Sequence, residues 1–440
     1  MPNLFDPLLI QTLSKDKEYL EHTRIPIFTV SASYKEDLKE LHGLPDNDQI
    51  PDIVFSRAHF SMALSLAAEA WGKSVQPEKA WIVDPTNYVS RDDWRSVKLT
   101  ETIGKTIARY GFLQTLKSVI DKFGRQKLPI LESITPPLLY LCEHISQPIL
   151  SLHIAAGNIL AGTGKTVIQV VTDPHIRSEY LEHAESANFL YCVFDENTRF
   201  ELLEKAALMD KAMDAERIIT TGPPIHPRIL TAGRQKKAWR QGPLNLCITT
   251  GGLGTNKTEI LSLMDQLLPE LRKKTNQYRI LVYAATHHDI YQDVLNMAKK
   301  HRVSVGKTEE KNASLRVMYH PQIVDANELL LTHGFSWAHG FITKPSGDMA
   351  YDAAAAGCFL LTLSEWGEWE EKIREVFEQK SISRRAQTKS IVEQLELLKS
   401  ARGMSQSWIE QAMHKARQID PLFINGSKNI LKIYQEIADK

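Results

Sequence analysis

Short apolar runs alternate with longer stretches of helical periodicity along most of the chain. IPIFTVSAS (25–33), KAWIVDP (80–86), ILSLHIAA (149–156), TVIQVVTD (166–173), FLYCVFD (189–195) and the start of RIITTGPPIHPRI (217–229) read as buried strands. Between them, SRAHFSMALSLAAEAWG (56–72) and TIGKTIARYGFLQTLKSVIDKFG (102–124) repeat apolar residues at helical spacing. The pattern pauses at TAGRQKKAWRQGP (231–243), polar, basic and without apolar periodicity, which is expected to be an interdomain linker. It restarts with LNLCITT (244–250), a glycine loop GGLGTN, and the helix KTEILSLMDQLLPELRKK. YRILVYAA, SLRVMYH, ANELLLTH and FITKPSGDMAYDAAAAGCFLLTL (341–363) follow, and the tail from 401 to 440 is helical and charged.

Strands alternating with helices predict parallel sheets with crossover helices, and 440 residues can bury two cores. The expected division is an N-terminal Rossmann-like α/β domain at 1–230, a linker at 231–243 and a C-terminal Rossmann-like α/β domain at 244–420. A helix at 421–440 is expected to cross back to the first domain. Ligands of such sheets bind at the carboxyl ends of strands, so the loops after strands are where chemistry belongs.

Composition narrows the field. Lys+Arg and Asp+Glu both number 53, so no global charge points to nucleic acid. The four cysteines, Cys142, Cys192, Cys247 and Cys358, lie in apolar runs without metal-type spacing and suit a reducing compartment. The start, MPNLFDPLLIQTLSKDKEYL, lacks a basic region followed by a long apolar one, and the apolar region 129–163 is broken by charges and prolines. The expected location is the cytoplasm, with a peripheral contact at the inner face of the membrane open. The basic helix 102–124, carrying Arg109, Lys117 and Lys122 near Tyr110, Phe112 and Phe123, suits either an anionic membrane surface or plain solvation.

Gly251, Gly252 and Gly254 stand between a strand and a helix. Glycine lets backbone approach a ligand, and a helix start offers unpaired N–H groups and a positive dipole end to an anion. A tight turn explains the same glycines, and the spacing is not a dinucleotide fingerprint. In the stretch 341–363, Pro345-Ser346-Gly347 turns the chain into a helix closed by Gly357. Asp348 and Asp352, four apart, share one face of that helix, where a carboxylate can accept hydrogen bonds from ribose hydroxyls. Alternatively, Asp348 is a favourable helix-start charge and Asp352 is solvated.

GGLG before a helix, followed about ninety residues later by ITKPSGDMAYDAAAAGCFLLTL, resembles the second domain of GT-B glycosyltransferases. The nearest group holds the diacylglycerol sugar transferases, such as monogalactosyldiacylglycerol synthase, and the MurG-type transferase. Thr343, Lys344, Pro345, Gly347, Ala353 and Gly357 match that group's motif, with Ser346 in place of a glycine and Asp352 in place of a glutamate. In the first domain, 170–229 is similar to the group's VTD strand and its TGxPxxP segment. Coverage runs from about 150 to 363.

The resemblance implies two Rossmann-like domains facing a cleft and a UDP-sugar donor held by the second. Gly251, Gly252 and Gly254 would face the acceptor and pyrophosphate, Ser346 and Gly347 would offer backbone N–H groups to phosphates, and Asp352, with Asp348 beside it, would bind ribose. Backbone near Ile323 would contact uracil, and Gly367 and Glu368 would touch the sugar. The acceptor implied is a lipid or lipid-linked molecule; the reaction needs no metal and no cofactor beyond its substrate.

In the same group a Gly-Gly-His opens the helix after the first strand; here Arg57 and Ala58 replace both glycines before His59. Ser56 can cap that helix, and a first-turn imidazole at the positive helix end favours its neutral form, which can accept a proton from an acceptor hydroxyl. Asp173, at a strand end, is the second catalytic candidate. Arg57, His226 and Arg228 are acceptor-side candidates, Arg228 through an anionic group; a rigid proline loop with solvated charges is the alternative for the last two. Attack from the face opposite UDP would invert the anomeric carbon, and domain closure would exclude water.

Two tempting motifs are set aside. AGTGKT (161–166) is not a Walker A loop, because Ile159 stands where glycine is needed. THHD (286–289) places two adjacent histidines with no third zinc ligand. Two rival functions remain: a UDP-sugar 2-epimerase of the same architecture, and a non-catalytic sugar-nucleotide-binding or scaffold protein, favoured by the departures at Arg57, Ala58, Ser346 and Asp352.

Overall fold

The computed structural model describes residues 7–34, 52–89, 129–273 and 277–440, which form two compact units, 1–226 with 421–440 and 227–420. The basic segment 102–124 lies outside the described residues.

Unit 1 is built on a six-stranded parallel sheet of β1 (Ile25–Phe28), β4 (Ala80–Val83), β5 (Ile149–Ser151), β6 (Val167–Val170), β7 (Phe189–Val193) and β8 (Ile218–Thr220), in the order β4-β1-β5-β6-β7-β8. The strand read at 25–33 is two pieces: β1 ends at Phe28, and Ala32–Ser33 (β2) pairs antiparallel with Ile53–Val54 (β3). The break has a physical cause. Asp84, buried at the end of β4, accepts hydrogen bonds through Oδ2 from Ser31 N (2.7 Å), Ser31 Oγ (2.7 Å) and Ala32 N (2.9 Å), taking that backbone out of the sheet. ILSLHIAA likewise splits, with β5 ending at Ser151 and a helix running Ile154–Ala161.

The C-terminal helix Gly426–Ala438 packs against the helix Arg57–Trp71 of unit 1. Tyr434 Oη lies within hydrogen-bond distance of the carbonyls of Arg24 (2.6 Å) and Pro148 (2.9 Å), which share its one proton. Gly222 and Gly426 make the approach possible: a Cβ on Gly222 would sit 1.9 Å from the Leu422 carbonyl oxygen, and one on Gly426 2.0 Å from that of Pro223. Gly222 also holds a φ of +82°, which only glycine adopts at little cost.

Unit 2 carries a seven-stranded parallel sheet: β9 (Leu244–Thr249), β10 (Tyr278–Tyr283), β11 (Val305–Gly306), β12 (Leu315–Met318), β13 (Gly340–Thr343), β14 (Phe359–Thr362) and β15 (Ser383–Arg385). The order is β11-β12-β10-β9-β13-β14-β15, so chain direction across the sheet reverses between β9 and β13. Leu246, Ile248, Ile280, Val282, Ile342 and Leu361 pack on one face against Ile260, Leu263, Met264 and Leu267 of the helix Lys257–Glu270.

The stretch read as a linker is part of unit 2. Pro227–Gln235 is a helix, with Gly233 so close to the helix Met349–Ala355 that a Cβ would meet the Ala355 carbonyl oxygen at 2.0 Å. Lys236 follows, buried, its Nζ donating to the carbonyls of Phe335 (2.6 Å), Ser336 (3.1 Å) and Ala338 (2.6 Å). A polar, basic sequence is held by contacts about a hundred residues away, which local periodicity cannot reveal.

Candidate functional site

In unit 2 the reversal point lies between β9 and β13, where ligands of open α/β sheets bind. Thr249 and Thr343, at the ends of these strands, join hydroxyls at 2.6 Å. The loops that follow meet: a Cβ on Gly251 would sit 2.6 Å from Thr255 Oγ1, 3.3 Å from Lys344 Cε and 3.6 Å from Lys344 Nζ. The Lys344 ammonium therefore lies against the glycine loop, where its Nζ is 2.5 Å from Oε1 of Glu370, a carboxylate only 1% exposed. Glu370 also accepts from Trp366 N through Oε2 at 2.6 Å.

His287 fixes the glycine loop from the end of β10. Its Nε2–H donates to the carbonyls of Gly251 (3.2 Å) and Gly252 (3.1 Å). With those carbonyls turned to His287, the N–H groups of Gly251 and Gly252 have no acceptor among the described residues. The Thr255 hydroxyl, 3% exposed, is likewise without a partner among them. Gly254 differs: its N–H closes a turn onto the Gly251 carbonyl at 2.9 Å, at a φ of +67°, so it does not offer that N–H to a ligand.

After β13 a similar division holds. The Ser346 N–H, expected to face phosphate, donates instead to the Lys344 carbonyl at 2.8 Å, because the Pro345 turn is that tight. Its hydroxyl donates to Asp348 Oδ1 at 2.6 Å. Gly347 is buried, and its N–H has no acceptor among the described residues. A buried backbone donor left open is costly, so a ligand acceptor is the natural completion. Asp348 and Asp352 are both buried in and beside the helix Met349–Ala355; the solvated alternative for Asp352 is excluded.

The remaining unit 2 candidates lie on neighbouring strand-end loops. Ile323 begins the helix Ile323–His333, and Gly367 precedes the helix Glu368–Gln379, with Glu368 exposed. The loop carrying Gly367 is tied to the glycine loop's helix: Ser364 Oγ donates to Glu259 Oε1 at 2.8 Å, and Asn256 Nδ2 to the Ser364 carbonyl at 3.0 Å. Arg228 is misassigned to the first domain. Pro227 starts a helix of unit 2, and the Arg228 guanidinium is spent on Glu328 (2.8 and 2.7 Å) and Thr332 (2.7 Å).

In unit 1 the reversal falls between β1 and β5. Ser56 caps the helix Arg57–Trp71 by accepting from His59 N at 3.3 Å, which puts His59 in the first turn as expected. His59 Nε2 lies 3.1 Å from the Thr172 hydroxyl, next in chain to the half-buried Asp173. Its ring packs edge-to-face on His153, centroids 5.1 Å apart. Arg57 and His226 are both buried in this unit.

His153 was not singled out in the sequence, though it follows directly on a strand. It caps the helix Ile154–Ala161 by accepting from Ala155 N through Nδ1 at 3.2 Å. That bond assigns the ring proton to Nε2, making His153 a donor. Burial, then the neighbouring His59 and Arg177, hold its pKa well below the usual histidine range, so the ring is neutral. Among the described residues no cluster of three or more His, Cys, Asp or Glu side chains is arranged to hold a metal, and no helix is long and apolar enough to cross a membrane.

No protein-family profile matches the sequence, and no curated protein is significantly similar to it. The architecture, in contrast, recurs in solved structures. Os79 from O. sativa in complex with UDP shares 10% identity at a TM-score of 0.53, over 93% of this chain and 100% of that one. α,α-Trehalose 6-phosphate synthase from Burkholderia multivorans shares 11% identity at 0.52, over 95% and 99%. UDP-GlcNAc 2-epimerase from Neisseria meningitidis bound to UDP-GlcNAc shares 13% identity at 0.50, over 94% and 99%. Identities this low speak for the fold alone: the chain has the architecture of two Rossmann-like domains shared by GT-B proteins.

Proposed function

We propose that the protein is a metal-independent, inverting glycosyltransferase that moves a sugar from a UDP-sugar to a hydroxyl of a lipid or lipid-linked acceptor. The observation that carries the reading is the set of donors at the β9/β13 reversal: the N–H groups of Gly251, Gly252 and Gly347 and the Thr255 hydroxyl, which have no acceptor among the described residues, with the Glu370-paired Lys344 ammonium beside them. Four open donors and a cation on adjoining loops suit a diphosphate, and donors fixed in advance stabilise the charge that grows as UDP leaves. Asp348 and Asp352 supply carboxylates for ribose, backbone near Ile323 contacts the base, and Gly367 with Glu368 flanks the sugar.

In unit 1, His59 accepts the proton of the acceptor hydroxyl, and Thr172 orients its ring. The His153 Nε2–H, fixed by its cap bond, steadies the acceptor oxygen by donating to it. Asp173, Arg57 and His226 border the acceptor. Incubation with radiolabelled UDP-sugars and a lipid extract tests the reading. Labelled glycolipid is the expected product; UDP-sugar interconversion without acceptor would instead favour an epimerase, and UDP binding without turnover a non-catalytic binder.

A further inference from the structure

Away from the strand-end loops of the candidate nucleotide site, unit 2 contains a cavity of about 350 Å³ beside β15. Its wall includes Glu378, Ser383, Arg384, Arg385, Gln394 and Trp408. That volume falls in the range of small-molecule sites.

Most of the charge on this wall is already paired. Arg385 makes a two-pronged bond to Glu365 (2.6 and 2.5 Å), and Glu378 accepts from Arg374 at 2.5 Å. Gln394 is satisfied as well, donating to the Arg385 carbonyl and accepting from Gln387 N, both at 2.8 Å. Arg384 is the exception. Its guanidinium lies 5.2 Å from the centroid of the Trp408 ring and makes no ion pair among the described residues. Stacking on an indole orients the guanidinium plane while leaving its N–H edge available. Ser383 adds a second unspent donor: the residue is 3% exposed, and its hydroxyl has no partner among the described residues.

We propose that this cavity is a second ligand site, for a small oxyanion (a phosphate or carboxylate group) held by Arg384 on its Trp408 platform and by the Ser383 hydroxyl. A guanidinium fork matches two oxygens of such a group, and the Ser383 hydroxyl adds a third donor. The site shares no residue with the glycine loop or the Lys344–Asp348 loop, so its occupancy does not depend on the nucleotide reading.

The test is calorimetric titration of the full-length protein with inorganic phosphate, with and without saturating UDP, which separates this site from any phosphate bound at the nucleotide loops. A parallel arm floats the protein on phosphatidylcholine vesicles with and without phosphatidylglycerol. Arg384→Gln is expected to weaken the wild-type interaction by about tenfold or more and Ser383→Ala several-fold, with Arg384→Lys retaining part of it. Unchanged thermal unfolding midpoints establish that the variants fold. Phosphate binding that survives UDP and is lost in Arg384→Gln supports a free anion as ligand; vesicle binding alone, lost in the same variant, supports a lipid headgroup. Absence of both in the wild type, or binding that Arg384→Gln and Ser383→Ala leave unchanged, overturns the proposal.

Discussion

Lys344 is the residue at which stability and function part most cleanly. Replacing it with methionine keeps the apolar stem but strands the Glu370 carboxylate, 1% exposed, with the Trp366 N–H as its remaining close donor. Breaking a buried ion pair from one side costs about 3–5 kcal/mol. Lys344 retains 13% exposure, which admits some water, so the lower end, about 3 kcal/mol, is expected. Neutralising the partner as well, in Lys344→Met/Glu370→Gln, removes the stranded charge while an amide oxygen still serves Trp366. That double variant should recover to within about 1 kcal/mol of the parent. Its affinity for UDP should nevertheless stay at least about tenfold below the parent, because the ammonium beside Gly251 is gone. Urea denaturation reads the first quantity and calorimetry the second. A single variant destabilised by less than about 0.5 kcal/mol would refute the buried-pair argument. A double variant that binds UDP like the parent would refute the placing of Lys344 at the diphosphate.

Three further expectations follow from named contacts. Gly251→Val puts a Cβ 2.6 Å from Thr255 Oγ1 and against Lys344, and calorimetry should show UDP binding weakened by more than about tenfold; retained affinity would place the diphosphate elsewhere. His59→Ala should lower the rate of sugar transfer by about 10²–10⁴, with the His153→Asn/His59→Ala double little worse than the single, because the two rings act on one oxygen. His339, whose Nδ1 accepts from Asn245 N at 3.0 Å, has its pKa lowered to about 4 by burial, then by Lys236 and Arg279. The folded state therefore keeps this ring neutral where the unfolded chain protonates it, near 6.5: its contribution is complete above that pH and is lost as pH falls towards 4. Going from pH 7 to 5 should cost about 2 kcal/mol of stability that His339→Asn does not lose, as read by denaturation at both pH values.

The sheets were legible because strands buried on both faces read as unbroken apolar runs, and β6, β7, β9, β10 and β14 fall where LNLCITT, YRILVYAA and their like predict. Boundaries failed where a side chain remote in sequence decides them, as Asp84 does in drawing Ser31 and Ala32 away after β1 ends at Phe28. The linker was misread for the same reason: Gly233 and Lys236 are explained by Ala355 and by the 335–338 carbonyls, not by their neighbours. The glycine loop and the ITKPSG turn could be found from residue types. Which of their N–H groups stay open could not, since that depends on His287 turning two carbonyls aside and on the Pro345 turn consuming Ser346. Glu370 and His153 left fainter traces, an acid in the first turn after Gly367 and a histidine directly after a strand.

Structure determination of the protein soaked with UDP tests the central claim most directly. The diphosphate oxygens are expected within hydrogen-bond distance of the Gly347 amide, of Gly251 or Gly252, and of the Lys344 ammonium, with the ribose turned to the helix that Asp348 begins. A nucleotide found on other loops, or those amides closed off by protein with UDP at saturation, would contradict the account.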